Sequence, residues 1–220
     1  MTEPPGALLL FLLLLVLFGL FLFVLEIRAL SYAYRAIGIS PRWVTAVLLL
    51  TLLGSHINVP VIVARVGDTA SLIALNVGGA VIPVLVSLYL FARTPARGRM
   101  ILATIIVAAF VHQLAIVVPG AGIVVPMLLP PIAATMVALV LAFRQAPAVA
   151  YVGGSLGALI GADLLNLRRV AELGAPAIAI GGAGTFDGVF LTGIIAGVLA
   201  AWISPARHDA VVVERRRWAA

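Results

Sequence analysis

The chain has no cysteine and no lysine, and only 10% of its 220 residues are charged. Without cysteine there is no disulfide, no thiolate metal ligand and no cysteine nucleophile. Without lysine, the formal charge of +6 is carried by arginine alone. The scarcity of charge excludes more. A soluble domain has about 25% charged residues and about half apolar ones. Here 64% of residues are hydrophobic and the mean hydropathy is +1.24. Such a chain cannot cover its apolar surplus with its own polar surface, so its solvent is lipid. Short segments of alternating polarity, the mark of a membrane β-barrel, are missing. An all-α polytopic membrane protein of the cell's inner (plasma) membrane is expected. The arginines stand between apolar runs, which points to topology rather than nucleic acid; the expected partner is the bilayer.

What is present is a series of apolar runs near the length of about 20 residues that a span requires. They are 7–25, 43–63, 71–91, 100–118, 123–143, 148–165 and 176–203, which predicts seven transmembrane helices. The first lacks a basic n-region and a small-residue cleavage site, so it reads as a retained helix rather than a signal peptide. Residues 26–42, "EIRALSYAYRAIGISPR", read as a short amphipathic interfacial piece. Three regions follow: 1–42 with the first helix and interfacial segment, 43–203 as a six-helix membrane core, and 204–220 as a basic cytoplasmic tail. With the N-terminus outside, only Arg65, Arg168 and Arg169 lie on the outer side and the other arginines lie inside. The positive-inside rule therefore predicts N-out, C-in. The tail "ERRRWAA" would face anionic lipid.

In that orientation the polar residues inside the spans share one depth. Ser55, His56 and Asn58 ("GSHINVP"), Asn76, His112 and Gln113, Asp163 and Asn166 ("GADLLNL"), and Thr185 and Asp187 all fall in the outer half. An ionisable group facing lipid costs about 2.5–3.5 kcal/mol on insertion scales, so these residues are expected to line one outward-facing pocket. In the stretch "IGGAGTFDGVFLTG", an unbroken helix from Pro176 would carry Asp187 about 16 Å inward at 1.5 Å per residue. Asp163 would stay near the outer end. A non-helical entry at Gly181–Gly184, with Gly182 and Gly184 lining the pocket and Thr185 as N-cap, brings the two carboxylates to one depth. The competing view of the glycines is close helix packing, since "GGSLGALIGA" and "GVFLTGIIAG" place small residues at packing intervals.

Taken together, "GSHINVPV", "NVGGAVIPVL", "PGAGIVVP…PPIAAT", "GALIGADLLNL" and "IGGAGTFDGVFLTG" resemble the domain-of-unknown-function family numbered 1614, over roughly residues 50–200. That resemblance implies an integral membrane protein and no particular activity. A shorter stretch is similar to the presenilin and signal-peptide-peptidase class of intramembrane aspartyl proteases, with Asp163 and Asp187 in the places of its two aspartates. The spacing departs from that class. Two residues separate Gly184 from Asp187, no Tyr precedes Asp163, and "PPIAA" stands on an earlier run.

Two carboxylates at short range cannot both ionise, so one serves as base on a water and the other as acid toward a carbonyl. Asp163 and Asp187 are the expected catalytic pair of an aspartyl protease-like hydrolase acting on a transmembrane peptide. A proton- or cation-coupled transporter is the alternative, with a small ion as substrate. A non-enzymatic binding or assembly protein is the third. No cofactor is expected beyond a divalent metal, for which His56, His112, Asp163 and Asp187 are the candidate ligands.

Overall fold

The computed structural model describes residues 5–66, 69–119, 122–172, 177–182 and 188–204. The chain is mostly helical. Helix α1 spans Pro5–Ala36 and α2 Pro41–Gly54. Strands β1 (Asn58–Val66) and β2 (Thr69–Asn76) follow, then a π turn (Val77–Val81) that feeds α3 (Ile82–Arg93). Helix α4 (Arg97–Leu114) leads to a small hairpin of β3 (Ile116–Val118) and β4 (Gly122–Val124). Helix α5 (Leu129–Ala142) and a 3₁₀ turn (Phe143–Gln145) precede α6 (Ala146–Ala158). Helix α6 runs on through a π turn (Leu159–Asp163) and a 3₁₀ turn (Leu164–Asn166) into α7 (Leu167–Glu172). Strand β5 (Ala177–Ile180) and helix α8 (Gly188–Ile203) complete the order.

Two helical stretches among the described residues, Arg97–Leu114 and Leu129–Glu172, are long and apolar enough to cross a membrane. The structure extends the first helix and, at five strands among the described residues, corrects the expected all-α architecture. The first helix continues to Ala36, so most of the supposed interfacial piece is helix. The second run is helical only in its first part and the third only in its last part; the segments between form the β1–β2 hairpin. The 100–118 run ends as strand β3. The last run enters as β5, which pairs parallel with β2 to give the sheet order β1-β2-β5. The hairpin has a local cause. "NVPVIVARV" is rich in β-branched residues, and Gly67–Asp68 stands between the last paired residues, Val66 and Thr69. Hydropathy scores valine equally in a helix or a strand, so the runs looked uniform.

Helix α6 is the centre of the bundle, with every residue from Ala146 to Ser155 buried. Its small residues allow this. A Cβ on Gly153 would lie 2.9 Å from Ala103 Cβ, and one on Gly157 would lie 2.7 Å from Val107 Cβ, so α4 packs along a glycine-lined face. Such close approach supplies van der Waals contact between the helices. On α8, a Cβ on Gly193 would meet Ser155 Oγ, and one on Gly197 would meet Ile37 Cγ2. The packing account of these glycines therefore holds.

Candidate functional site

The hairpin is tied to the bundle at Asn76, whose side chain is fully buried. Asn is a preferred N-cap because its side-chain oxygen accepts from the orphan N–H groups of a first helical turn. Here Asn76 Oδ1 accepts from Gly79 N at 2.7 Å. Its amide nitrogen donates to Ser55 O at 2.8 Å and to Asn58 Oδ1 at 3.1 Å. One carboxamide thus joins the end of α2, the first residue of β1 and the start of the π turn. Ser55 Oγ donates to Leu52 O at 2.7 Å and lies 3.2 Å from His56 Nδ1. The His56 ring itself is on an exposed residue.

The parallel pairing of β5 with β2 ends at Leu75↔Ile180, which delivers Gly181 beside Asn76. Gly181 and Gly182 have φ of +82° and +68°, a left-handed conformation that L side chains rarely adopt. The Gly181 carbonyl presses on the bare Cα of Gly79, and a Cβ on Gly181 would lie 2.5 Å from Ala80 N. In return, Gly181 N donates to Asp163 Oδ2 at 2.6 Å. Asp163 is half-buried and ends the π turn of α6. Single-turn π segments place a side chain off the α-helical spacing and recur at functional sites. The site thus unites a carboxylate, two left-handed glycines and a capped helix start.

A second network adjoins it through residues 159–166. Asn166, fully buried, donates from Nδ2 to Gly161 O and Ala162 O, each at 2.9 Å, and meets His112 Nδ1 at 3.2 Å. Its Oδ1 accepts from Arg169 Nη1 at 3.1 Å.

The structure thus brings Ser55, Asn58, Asn76, Asp163 and Gly182 to one junction, and His112 and Asn166 to the next. Gln113 and His56 are exposed rather than turned inward. Gly184, Thr185 and Asp187 lie outside the described residues. The expected interruption at Gly181–Gly184 is non-helical at Gly181 and Gly182, but a strand precedes it, not a helix. Among the described residues, no three His, Asp or Glu side chains assemble as a metal-ligand group. Sequence reasoning missed Gly79 and Arg169. Gly79 had a signal, since "NVGG" ahead of an apolar run is an N-cap followed by a first turn. Arg169 had none, because its role depends on an irregular turn.

The DUF1614 family, described as a protein of unknown function, matches residues 36–199, so the chain belongs to that family. No curated protein and no solved structure matches the chain. Nothing found supports the likeness to presenilin-type proteases.

Proposed function

We propose that this DUF1614 member is a seven-span protein of the inner (plasma) membrane in which Asp163 is one half of an intramembrane aspartyl hydrolase-like centre. The second carboxylate is Asp187. The observation that carries this is the bond from Gly181 N to Asp163 Oδ2. Asp187 stands six residues beyond Gly181 in the chain. At about 3.3–3.6 Å per residue, that leash limits its distance from Gly181 to about 20 Å even when fully extended. A carboxylate in an apolar span needs a partner or a polar cavity, and the Asp163 junction is a polar site within the reach of that leash. The N–H donor orients Asp163 as an acceptor-only carboxylate, suited to take a proton from water; Asp187 is the acid toward the scissile carbonyl. The substrate is then a transmembrane peptide entering from the outer half.

A second function, cation- or proton-coupled transport, is favoured by one feature: the irregular helix at Asp163, where a π turn gives way to a 3₁₀ turn. Broken helices with a carboxylate are how many transporters bind their coupling ion. One experiment separates the two. The purified protein is reconstituted in liposomes with a helical peptide substrate and an internal pH dye, alongside Asp163→Asn and Asp187→Asn. Catalysis predicts peptide cleavage that falls by about 10²–10⁴-fold in each variant, with folding intact. Proton flux without cleavage, lost in both variants, replaces the hydrolase with the transporter. A wild-type protein that does neither refutes both.

The membrane location draws support from the surface. Leu13, Phe18, Leu53, Leu88, Ile105, Met136, Val140 and Trp202 are all exposed around the bundle. Water does not tolerate so continuous an apolar belt. The chain has no native cysteine, so single-cysteine labelling needs no background removal. Arg97→Cys is expected to resist an impermeant maleimide in intact cells and to react after permeabilisation, while Arg65→Cys reacts from outside. Labelling of position 97 in intact cells would reverse the orientation.

A further inference from the structure

At the opposite end of the bundle from Asp163, the 3₁₀ turn after α5 and the first turn of α4 enclose an open depression of about 510 Å³. It is lined by Pro95, Ala96, Gly98, Arg99 and Gln145. We infer that it binds the phosphate headgroup of an anionic phospholipid of the inner leaflet. The inference is separate from the aspartyl centre and rests on the membrane-spanning and orientation parts of the proposal above.

Charge is the first support. From Asp68 to Asp163 the sequence has no acidic residue, yet it carries Arg93, Arg97, Arg99 and Arg144. Two of these have local work. Arg97 donates to Phe91 O at 3.1 Å and Ala92 O at 3.2 Å, bracing the α3–α4 turn, and Arg93 lies over the Tyr89 ring at 5.7 Å. Arg99 and Arg144 are exposed, and among the described residues neither has a carboxylate partner. Arg99 lines the depression itself, and Arg144 adjoins the lining residue Gln145. Basic pockets between helices at the cytoplasmic surface are where phospholipid headgroups bind. A guanidinium, a carboxamide donor and the uncapped N–H groups of the first turn of α4 match phosphate oxygens.

Shape is the second support, and it selects a lipid over a free anion. Further along the two elements that form the depression, Ile101 and Ile105 on α4 and Val140 and Phe143 at the end of α5 are exposed, Val140 to 84%. A cationic concavity above an apolar wall fits a headgroup with its acyl chains and gives free phosphate no advantage. Gly98 leaves room, for a Cβ there would meet nothing within 4 Å.

The test is native mass spectrometry of the full-length protein released from detergent, with phosphatidylglycerol and phosphatidylcholine of identical acyl chains. One phosphatidylglycerol is expected to be retained in preference to phosphatidylcholine. Arg99→Gln should weaken retention roughly fivefold, the effect of about one interfacial charge. Gly98→Phe keeps every charge, fills the depression and should also release the lipid. Arg65→Gln, at the other end of the molecule, should retain it. If Arg99→Gln fails to fold, Gln145→Glu supplies the electrostatic arm by setting a carboxylate against the phosphate. Equal retention of the two lipids overturns the inference, as does wild-type retention in both Gly98→Phe and an Arg99→Gln or Gln145→Glu variant that folds. Displacement of phosphatidylglycerol by millimolar inorganic phosphate also overturns it, in favour of a free-anion site. Binding is read in detergent, so a failed topology experiment and a failed lipid experiment remain distinguishable.

Discussion

Replacing Gly79 with Ala is expected to destroy the folded protein, although Gly→Ala near a helix start ordinarily stabilises by about 0.5–1 kcal/mol. The sign reverses because of one contact. A methyl on Gly79 would collide with the Gly181 carbonyl oxygen, with the carbonyl carbon 3.0 Å away. Neither is the tip of a flexible side chain. Gly181 cannot retreat cheaply, since its nitrogen is held by Asp163, its φ is +82°, and the preceding four residues are zipped to β2. Overpacking a tight contact costs about 1–3 kcal/mol when neighbours can adjust, and here the adjustment would break the Asp163 bond as well. A loss of about 3 kcal/mol or more is expected, seen as a collapse of the monodisperse peak on size exclusion and a lowered thermal midpoint in detergent. Gly98→Ala, with nothing near its Cβ, is the matched control and should leave the midpoint unchanged or slightly raised. Equal behaviour of the two variants would refute the packing account.

Asn76→Asp should be nearly as damaging, though it changes one nitrogen to oxygen. The aspartate can still accept from Gly79 N, but its second oxygen would face Ser55 O and Asn58 Oδ1, both acceptors. Leaving buried groups unpaired costs about 1–3 kcal/mol each, and a charge at a fully buried position adds desolvation. Loss of at least about 2 kcal/mol is expected, with the hairpin released first. Hydrogen exchange followed by mass spectrometry would locate it: faster exchange in residues 58–76, with α4 and α6 still protected. Unchanged protection in the hairpin would show that Asn76 does not tie it to the bundle.

The two substitutions also mark how far sequence could reach. Asn76, Asp163 and Gly182 were legible as polar or conformationally special residues at one depth, because apolar spans make every such residue conspicuous. Their partners were not legible. Nothing in "NVGGAVIP" or "IGGAGTFDG" announces that the second glycine of one rests on the first glycine of the other, 102 positions away in the chain. The pairing follows from β5 lying parallel to β2, which the lipid-like composition of the last run concealed. His56 marks another limit: it lies 3.2 Å from the Ser55 hydroxyl, yet depth alone does not specify how exposed a side chain at a helix end is, and His56 is exposed.

By itself the sequence determined the solvent of this protein and its predominantly helical build. An apolar surplus this large predicts lipid as solvent, two helical stretches among the described residues are long and apolar enough to cross a membrane, and a backbone in lipid must satisfy its hydrogen bonds internally. It also determined that the glycines of α6 could admit close neighbours. Only the tertiary structure decided that five apolar runs end or begin as strands. It alone decided that Asp163 bonds to a backbone N–H beyond a parallel strand, and that His112 and Asn166 form a separate network. The reason is physical. Hydropathy and residue spacing report how a segment is solvated. The choice between helix and strand in a valine-rich run, and the partner of each buried polar group, depends on which other segments arrive to complete its hydrogen bonds.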